Sequence, residues 1–264
     1  MSTLLLDESH PGIHILTLNR PERLNALDGL LLDHLIASVR DCSSPEKDIR
    51  VIVIRGEGRA FSSGADLKWL TSGGATDSAL LLTFQDKLQE LCELLEAADQ
   101  AVIASVHGLA LAGGLELTLA CDLVIVAEDA ELGDEHILRN LLPGGGGSQR
   151  LPRKIGLQRG LYHLLTGKRM SGLEAERIGL AMQAVPAAEL PNATLALAQG
   201  LAKTDARALA AMKLMTRRGM ELPLKEGLWL ERRMQHRYRS QSSAMDNSMA
   251  NFATHGKTGQ PPNS

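Results

Sequence analysis

Four short strand-like segments alternate with helical patterns along the first half of the 264-residue chain. Residues 51–54 (VIVI), 101–106 (AVIASV) and 123–126 (LVIV) are continuous apolar runs, which are typical of strands buried on both faces. Residues 13–19 (IHILTLN) give a further strand pattern that ends near a proline, and residues 80–97 carry leucines at helical spacing. Because strands separated by helices need crossover connections, the pattern predicts an α/β fold with a mainly parallel sheet.

The pattern changes at about residue 190 and becomes helical almost throughout, with interruptions near Gly219 and Pro223. We therefore predict an α/β core over residues 1–190, which carries the functional site, and a helical C-terminal region over residues 191–264. Two helix starts can be placed more closely. Asp28 and Ser148 each precede a helical pattern and have side chains of the type that caps helices.

The composition argues against several classes of protein. A formal net charge of −3 and an aromatic content of 3% do not favour a nucleic-acid binder, which uses basic surfaces and aromatic stacking. The eight histidines include no HExxH motif, and the three cysteines form no CxxC pair, so no metal site and no disulfide framework are predicted. The apolar runs are too short to cross a bilayer, and the first residues lack a signal-peptide pattern. We expect a cytoplasmic protein that does not associate with membranes.

Two glycine-rich turns, at 61–68 (FSSGADLK) and 108–117 (GLALAGGLEL), each follow a buried strand. Glycine lets the backbone approach a ligand closely, and a helix that begins at such a turn has free N–H groups. Two such turns that converge could aim two N–H groups at one oxygen and form an oxyanion hole. Similar turns also bind phosphate or serve only as tight connections. Neither turn matches the GxxxxGK[ST] or GxGxxG pattern, which argues against a nucleotide site.

Four blocks of this sequence resemble the crotonase (enoyl-CoA hydratase/isomerase) family in order and spacing. They are 18–21 (LNRP) with 25–27 (NAL), 61–68, 108–122 and 143–151 (PGGGGSQRL). The segments GGLELTLACD and LPGGGGSQRLPR resemble the hydratase branch most. The resemblance implies a ClpP/crotonase-like spiral of ββα units. It also implies a helical C-terminal trimerisation region that builds homotrimers, or hexamers as dimers of trimers.

The resemblance also implies where an acyl-CoA thioester would bind. It assigns the two oxyanion N–H groups to Ala65 and Gly113. It places the coenzyme A part of the substrate near Arg23, Ala26, Ser63, Asp66, Lys68, Phe252 and Lys257, the last two from the C-terminal helix of a neighbouring subunit. The family often has a lysine three residues after that phenylalanine, where this chain has His255. No organic cofactor is expected beyond the coenzyme A that the substrate carries.

Hydratases of this family use two glutamates as acid and base, and Glu116 falls on the first position. Partial burial there would tune its pKa toward the working pH. The second position holds His136, for which three interpretations are open. His136 acts as the second acid–base group, since its ordinary pKa suits that role. A backbone shift brings Glu135 into the site instead. Or the second role is lost, which leaves one-carboxylate chemistry such as decarboxylation, thioester hydrolysis or a retro-aldol step.

The activity expected from these residues is the addition of water to an α,β-unsaturated acyl-CoA. The alternatives are a hydrolase, a decarboxylase or another lyase that uses one carboxylate, and a non-catalytic acyl-CoA binder. The missing second glutamate argues against double-bond isomerisation. Residues 80–95 and the loop 71–77 are expected to shape the acyl pocket. Arg139 stands where hydratases commonly have an apolar residue, and it is either a surface arginine or a group that recognises a second carboxylate on the acyl chain.

Overall fold

The computed structural model describes residues 2–44, 46–72 and 78–241. The chain forms two compact units, Met1–Lys203 and Thr204–Ser264. The structural boundary therefore lies after residue 203, whereas the sequence analysis placed it at 190. The difference arises because the helix Leu190–Ala202 packs on the central sheet, where its Ala198 is fully buried against sheet residues such as Val53.

The first unit contains the strands and most of the helices. The strands are β1 (Leu4–Asp7), β2 (Ile13–Leu18), β3 (Val51–Gly56), β4 (Ala101–Val106), β5 (Leu109–Leu111), β6 (Leu123–Ala127), β7 (Glu131–Gly133), β8 (Met170–Ser171) and β9 (Gln183–Val185). The helices are α1 (Gly29–Cys42), α2 (Leu67–Leu70), α3 (Ser78–Ala97), α4 (Gly113–Ala120), α5 (Gly147–Ile155), α6 (Leu157–Thr166), α7 (Gly172–Arg177) and α8 (Leu190–Ala202), with 3-10 helices over Pro21–Arg23 and His136–Arg139. The four predicted strands and the helix over 80–97 are confirmed, with small shifts at their ends.

The central sheet has six strands in the order β1-β2-β3-β4-β6-β9. All neighbours from β2 to β9 pair in parallel, and only β1 runs antiparallel to β2. The predicted mainly parallel sheet is therefore confirmed. A second sheet of three strands, β5-β7-β8, lies beside it. The sequence analysis missed the three strands of this second sheet, and it also missed β1 and β9. Runs of two to four residues carry too little periodicity to be recognised.

The central sheet is buried on both faces, as expected for parallel strands joined by crossover helices. On one face, Leu16 and Ile54 join the main core, which includes the leucine stripe of α3 around Leu91. On the other face, Val53 packs in a smaller cluster with Ala198 of α8. Within β2, β3 and β4, residues from the two faces thus contribute to different cores, which explains why these strands are apolar throughout rather than alternating.

The two predicted helix caps have different outcomes. Asp28 caps α1, because its Oδ1 atom accepts a hydrogen bond of 2.9 Å from the Leu31 N–H. The prediction for Ser148 is wrong. Helix α5 begins one residue earlier at Gly147, and Gly146 (φ 94°) is its N-cap without a side-chain hydrogen bond. A left-handed backbone at residue 146 favours glycine, and it frees the Gly147 N–H for a carboxylate described below.

The described part of the second unit consists of two helices, α9 (Ala206–Gly219) and α10 (Leu224–Gln241), which pack against each other. Asp205 caps α9 by accepting a hydrogen bond of 2.9 Å from the Ala208 N–H. The predicted interruption near Gly219 and Pro223 is confirmed. Across the described residues of both units, no helix combines the length and the apolar character needed to span a bilayer.

Candidate active site

The two glycine-rich turns lie side by side and are joined through their backbones. The Ser62 N–H donates to the Leu109 carbonyl (2.9 Å), and the Leu111 N–H donates to the Ser62 carbonyl (3.0 Å). Glycine is required at both contacts. A Cβ atom on Gly64 (φ 89°) would lie 2.7 Å from the Leu111 carbonyl oxygen, and one on Gly114 would overlap the Ser62 carbonyl oxygen. The two turns can approach this closely because Gly64 and Gly114 have no side chain at the contact.

Ala65 and Gly113 follow directly on these joined segments. The Leu27 N–H bonds to the Gly64 carbonyl, and the Asp66 N–H bonds to the Leu27 carbonyl, so the bridge leaves the Ala65 N–H unused. Among the described residues, neither the Ala65 nor the Gly113 N–H donates a hydrogen bond to another protein group. The Ala65 nitrogen lies 3.7 Å from the position that a Cβ atom on Gly113 would take. Two unpaired donors are therefore adjacent, which is the arrangement that an oxyanion hole needs.

A cavity of about 430 Å³ opens in front of these two residues. Every predicted site residue within the described part of the chain lines it: Arg23, Ala26, Ser63, Ala65, Asp66, Lys68, Gly113, Glu116, Glu135 and His136. Apolar side chains of α3, Leu81, Phe84 and Leu88, form part of its wall, in agreement with the pocket expected from residues 80–95. The predicted Phe252 and Lys257 lie outside the described residues, as does most of the loop 71–77.

Glu116 is the most deeply buried carboxylate of the cavity, with 1% of its surface exposed. It lies in the first turn of α4, and its Oε1 atom accepts a hydrogen bond of 2.8 Å from the Gly147 N–H. Burial raises the pKa of Glu116, and this effect outweighs the opposing hydrogen bond from Gly147 and the charge of His136. A carboxyl group with a raised pKa next to two free N–H groups is suited to proton transfer.

His136 lies between two carboxylates. Its Nδ1 atom is 2.9 Å from Oδ1 of the buried Asp134, and its Nε2 atom is 3.9 Å from Oε2 of Glu116. Burial alone lowers the pKa of His136. The hydrogen bond and charge of Asp134, together with the charge of Glu116, outweigh burial and raise the pKa overall. The sequence analysis assigned no role to Asp134, although an aspartate two residues before a candidate histidine was the available signal.

Glu135 lines the same cavity, but both of its oxygens are engaged by arginines. Oε1 lies 2.5 Å from Nε of Arg169, and Oε2 lies 3.3 Å from Nη1 of Arg139. The residue has a left-handed backbone (φ 54°). Of the two groups considered for the second acid–base position, His136 is therefore the one whose ring approaches Glu116.

The carboxylate of Asp66 stabilises the first glycine-rich turn, because both of its oxygens are bound by protein groups. It accepts a hydrogen bond of 3.1 Å from the Trp69 N–H and pairs with Nη2 of Arg20 at 2.8 Å. Burial raises the pKa of Asp66, but Arg20 and the Trp69 N–H lower it further, so the net shift is downward. Arg20 also reaches Asp28 (3.1 Å) and the Ala26 carbonyl. Sequence analysis named residue 20 only as part of the first block.

Arg150 anchors the glycine-rich loop of the block 143–151, and the sequence analysis assigned it no role. Its guanidinium forms two hydrogen bonds to Glu96, of 2.8 and 2.7 Å, and donates to the Gly145 carbonyl at 2.6 Å. The pair fixes the loop that presents the Gly147 N–H to Glu116. The available signal was an arginine inside the PGGGGSQRL block.

Comparison with known proteins shows the family of this chain. The family model described as enoyl-CoA hydratase/isomerase matches residues 8–260. A probable enoyl-CoA hydratase of Mycobacterium bovis is 37% identical over 236 residues, which cover 88% of each chain. The 2,3-dehydroadipyl-CoA hydratase of Escherichia coli is 34% identical over 234 residues, which cover 89% of each chain.

The fold agrees as well. The crystal structure of an enoyl-CoA hydratase from Bacillus anthracis is similar with a TM-score of 0.90 at 31% identity, over 96% of each chain. The predicted crotonase fold is therefore confirmed. With a matching family model, relatives along most of the chain and a joined pair of glycine-rich turns at the cavity, this protein belongs to the enoyl-CoA hydratase/isomerase family.

Proposed function

We propose that the protein adds water to an α,β-unsaturated acyl-CoA thioester. One observation carries the proposal. The backbone N–H groups of Ala65 and Gly113, which have no partner among the described residues, line the same cavity as a buried glutamate with a raised pKa. Two adjacent donors stabilise the oxygen of an enolate, and the glutamate supplies a base. The names of the relatives, hydratases of enoyl-CoA and 2,3-dehydroadipyl-CoA, support the same reaction.

The coenzyme A part of the substrate would lie along the side of the cavity formed by Arg23 and Lys68. Both side chains are exposed cations, which suits contact with phosphate groups. Ala26 and Ser63, which carry no charge, line the same cavity. No further cofactor enters the proposal, because the thioester itself becomes the electron acceptor when water adds.

In the proposed reaction, Glu116 takes a proton from water while the water oxygen forms a bond to the β-carbon. The electron pair of the carbon–carbon double bond moves to the thioester, whose oxygen becomes an enolate held by the Ala65 and Gly113 N–H groups. A proton is then delivered from Nε2 of His136 to the α-carbon, which gives the 3-hydroxyacyl-CoA. An oxygen atom about 2.8 Å from each group can contact both Glu116 and His136, because those two groups are 3.9 Å apart.

Asp134 would keep His136 ready for this step. Its Oδ1 atom is 2.9 Å from Nδ1, which directs Nε2 toward Glu116 and favours the protonated ring. The pair of His136 and Asp134 would thus take the role that a second glutamate has elsewhere in the family.

We also propose the assembly that the resemblance implies, a homotrimer or a dimer of trimers, in the cytoplasm and without nucleic acid or membrane as a partner. Apolar side chains that are exposed on α10, at Leu224, Leu228 and Trp229, support assembly through the second unit. Light scattering on the purified protein tests it. A monomeric mass at micromolar concentration would refute it.

The test of the reaction is turnover of crotonyl-CoA, followed by the loss of absorbance of the conjugated thioester and by detection of the 3-hydroxyacyl product. The wild-type protein is expected to be active, and Glu116→Gln and His136→Gln to lose most of the rate. Glu176→Gln, an exposed glutamate on α7 outside the cavity, is the matched control and should be unchanged. Release of free thiol without formation of a hydroxyacyl product would instead assign thioester hydrolysis.

A further inference from the structure

Arg139 lies on the same face of its 3-10 helix as His136. The helix covers four residues, His136–Arg139, and side chains three residues apart in a 3-10 helix lie above one another. Both side chains accordingly line the cavity. The geometry therefore places a guanidinium next to the proposed proton donor.

Within the described residues, the Arg139 guanidinium makes one hydrogen-bonded contact with another protein group, and this contact is weak. Nη1 lies 3.3 Å from Oε2 of Glu135, and the Arg139 side chain is 52% exposed, so solvent screens the pair. The other oxygen of Glu135 has a closer partner, Nε of Arg169 at 2.5 Å. Arg169 also pairs with Glu131 through Nη1, so it is shared between two carboxylates. The contact of Arg139 with Glu135 involves Nη1 alone, which leaves most of its five N–H donors for another anion.

Several apolar side chains share the cavity with Arg139, in addition to the polar Glu135 and His136. Leu141 and Leu142 follow on the same segment, and Leu81, Phe84 and Leu88 of α3 contribute to the same cavity. The cations that suit coenzyme A phosphates come from other elements, Arg23 from the first 3-10 helix and Lys68 from α2. Arg139 is thus a cation among side chains suited to an acyl chain, and a purely aliphatic chain would leave its N–H groups to water.

We propose that this site accepts acyl-CoA substrates whose acyl chain carries a second carboxylate at its far end, and that Arg139 binds this carboxylate. A guanidinium fork matches a carboxylate with two parallel hydrogen bonds, and such charge-assisted pairs are stronger than neutral ones. The proposal rests on the proposed hydratase function only in its assumption that such a substrate is hydrated. Recognition of the ligand is a separate property of the cavity.

The experiment compares two unreactive ligands of equal chain length, adipyl-CoA and hexanoyl-CoA, which differ only in the terminal carboxylate. Calorimetry measures their dissociation constants with the wild-type protein, Arg139→Met and Arg139→Lys. The wild-type protein is expected to bind adipyl-CoA roughly tenfold to a hundredfold more tightly than hexanoyl-CoA. Arg139→Met should lose this preference without weakening hexanoyl-CoA, and Arg139→Lys should keep part of it. Arg177→Met, an exposed arginine on α7, is the control.

Equal affinity of the wild-type protein for the two ligands would overturn the proposal. An equal loss of affinity for both ligands in Arg139→Met would also overturn it. The wild-type comparison stands even if a variant fails to fold. Turnover of the matching enoyl thioesters is measured separately. If adipyl-CoA is preferred but neither enoyl thioester is hydrated, the proposed reaction fails while the recognition of a terminal carboxylate is retained.

Discussion

The Nε2 atom of His136 lies 3.9 Å from Oε2 of Glu116, and both groups have a raised pKa. In the proposed reaction Glu116 must be ionised and His136 protonated. The rate should rise as pH increases through the pKa of Glu116 and fall as pH increases through the pKa of His136. We predict a bell-shaped profile of kcat/KM for the free enzyme, with both limbs above the ordinary values for glutamate and histidine. A rate that does not fall at high pH would contradict the role of His136 as acid.

Asp134→Asn should move the basic limb of this profile to lower pH. The substitution removes the hydrogen bond to a carboxylate and the negative charge that together raise the pKa of His136, while burial continues to lower it. We expect a loss of about tenfold to a hundredfold in kcat at neutral pH that is partly recovered in more acidic buffer. Asp129→Asn, in an exposed turn, is the control. A loss that is equal at every pH would indicate a structural role for Asp134 instead.

Glu116→Gln should lose activity without losing stability. The amide oxygen can still accept the Gly147 hydrogen bond, so the loop should be kept, while kcat falls by about 10²–10⁴-fold because the base is absent. The raised pKa means that the folded wild-type protein holds a proton that the unfolded chain has released. Wild-type stability therefore decreases as pH rises from the unfolded to the folded pKa of Glu116.

The variant should match the wild type in melting temperature at acidic pH and exceed it at alkaline pH. Thermal unfolding at several pH values measures this difference. A variant that melts below the wild type at alkaline pH would show that the charged form of Glu116 stabilises the fold.

Two glycine-to-alanine substitutions within helices should have opposite effects. A Cβ atom at Gly114 in α4 would overlap the Ser62 carbonyl oxygen, whereas one at Gly200 in α8 would meet no atom within 4 Å. Gly114→Ala should destabilise by about 1–3 kcal/mol because backbone has to move. Gly200→Ala should stabilise by about 0.5–1 kcal/mol through the lower entropy of the unfolded chain. Urea unfolding measures both, and a similar loss in the two variants would refute the contact between the turns.

Arg20→Met should weaken both the fold and the affinity for coenzyme A thioesters. The substitution would leave the carboxylates of Asp28 and Asp66, which are 15% and 7% exposed, without the cation that they share. Asp66, the N-cap of α2, would then be held in place less firmly. We expect a loss of about 3 kcal/mol in the free energy of unfolding. Arg177→Met, whose exposed ion pair contributes little, should change neither quantity. Unchanged affinity for crotonyl-CoA in Arg20→Met would separate the turn from ligand binding.

The sequence was sufficient for the strands and helices that have strong periodicity, such as β4 and α3. Every site residue that it named in the described part of the chain lines the cavity. The sequence was insufficient where function depends on partners distant along the chain. The link between Glu135 and Arg169 spans 34 positions, and that between Arg150 and Glu96 spans 54. Neither is encoded in a local pattern, because both depend on how the crossover units pack. The helix start at Gly147 was misplaced because its N–H bonds to Glu116, which no local rule for capping residues anticipates.

The backbone bridge between Ser62 and Ala110 has a consequence for the order of assembly. The two proposed oxyanion donors belong to segments almost fifty positions apart, and they become neighbours only when this bridge has formed. Contacts between distant parts of a chain close after local helices have formed, since the entropy of closing a long loop must first be overcome. A folding intermediate with normal helix content but without this bridge would therefore be unable to bind an enolate. Ligand affinity would then report the completion of tertiary structure more directly than any measure of secondary structure.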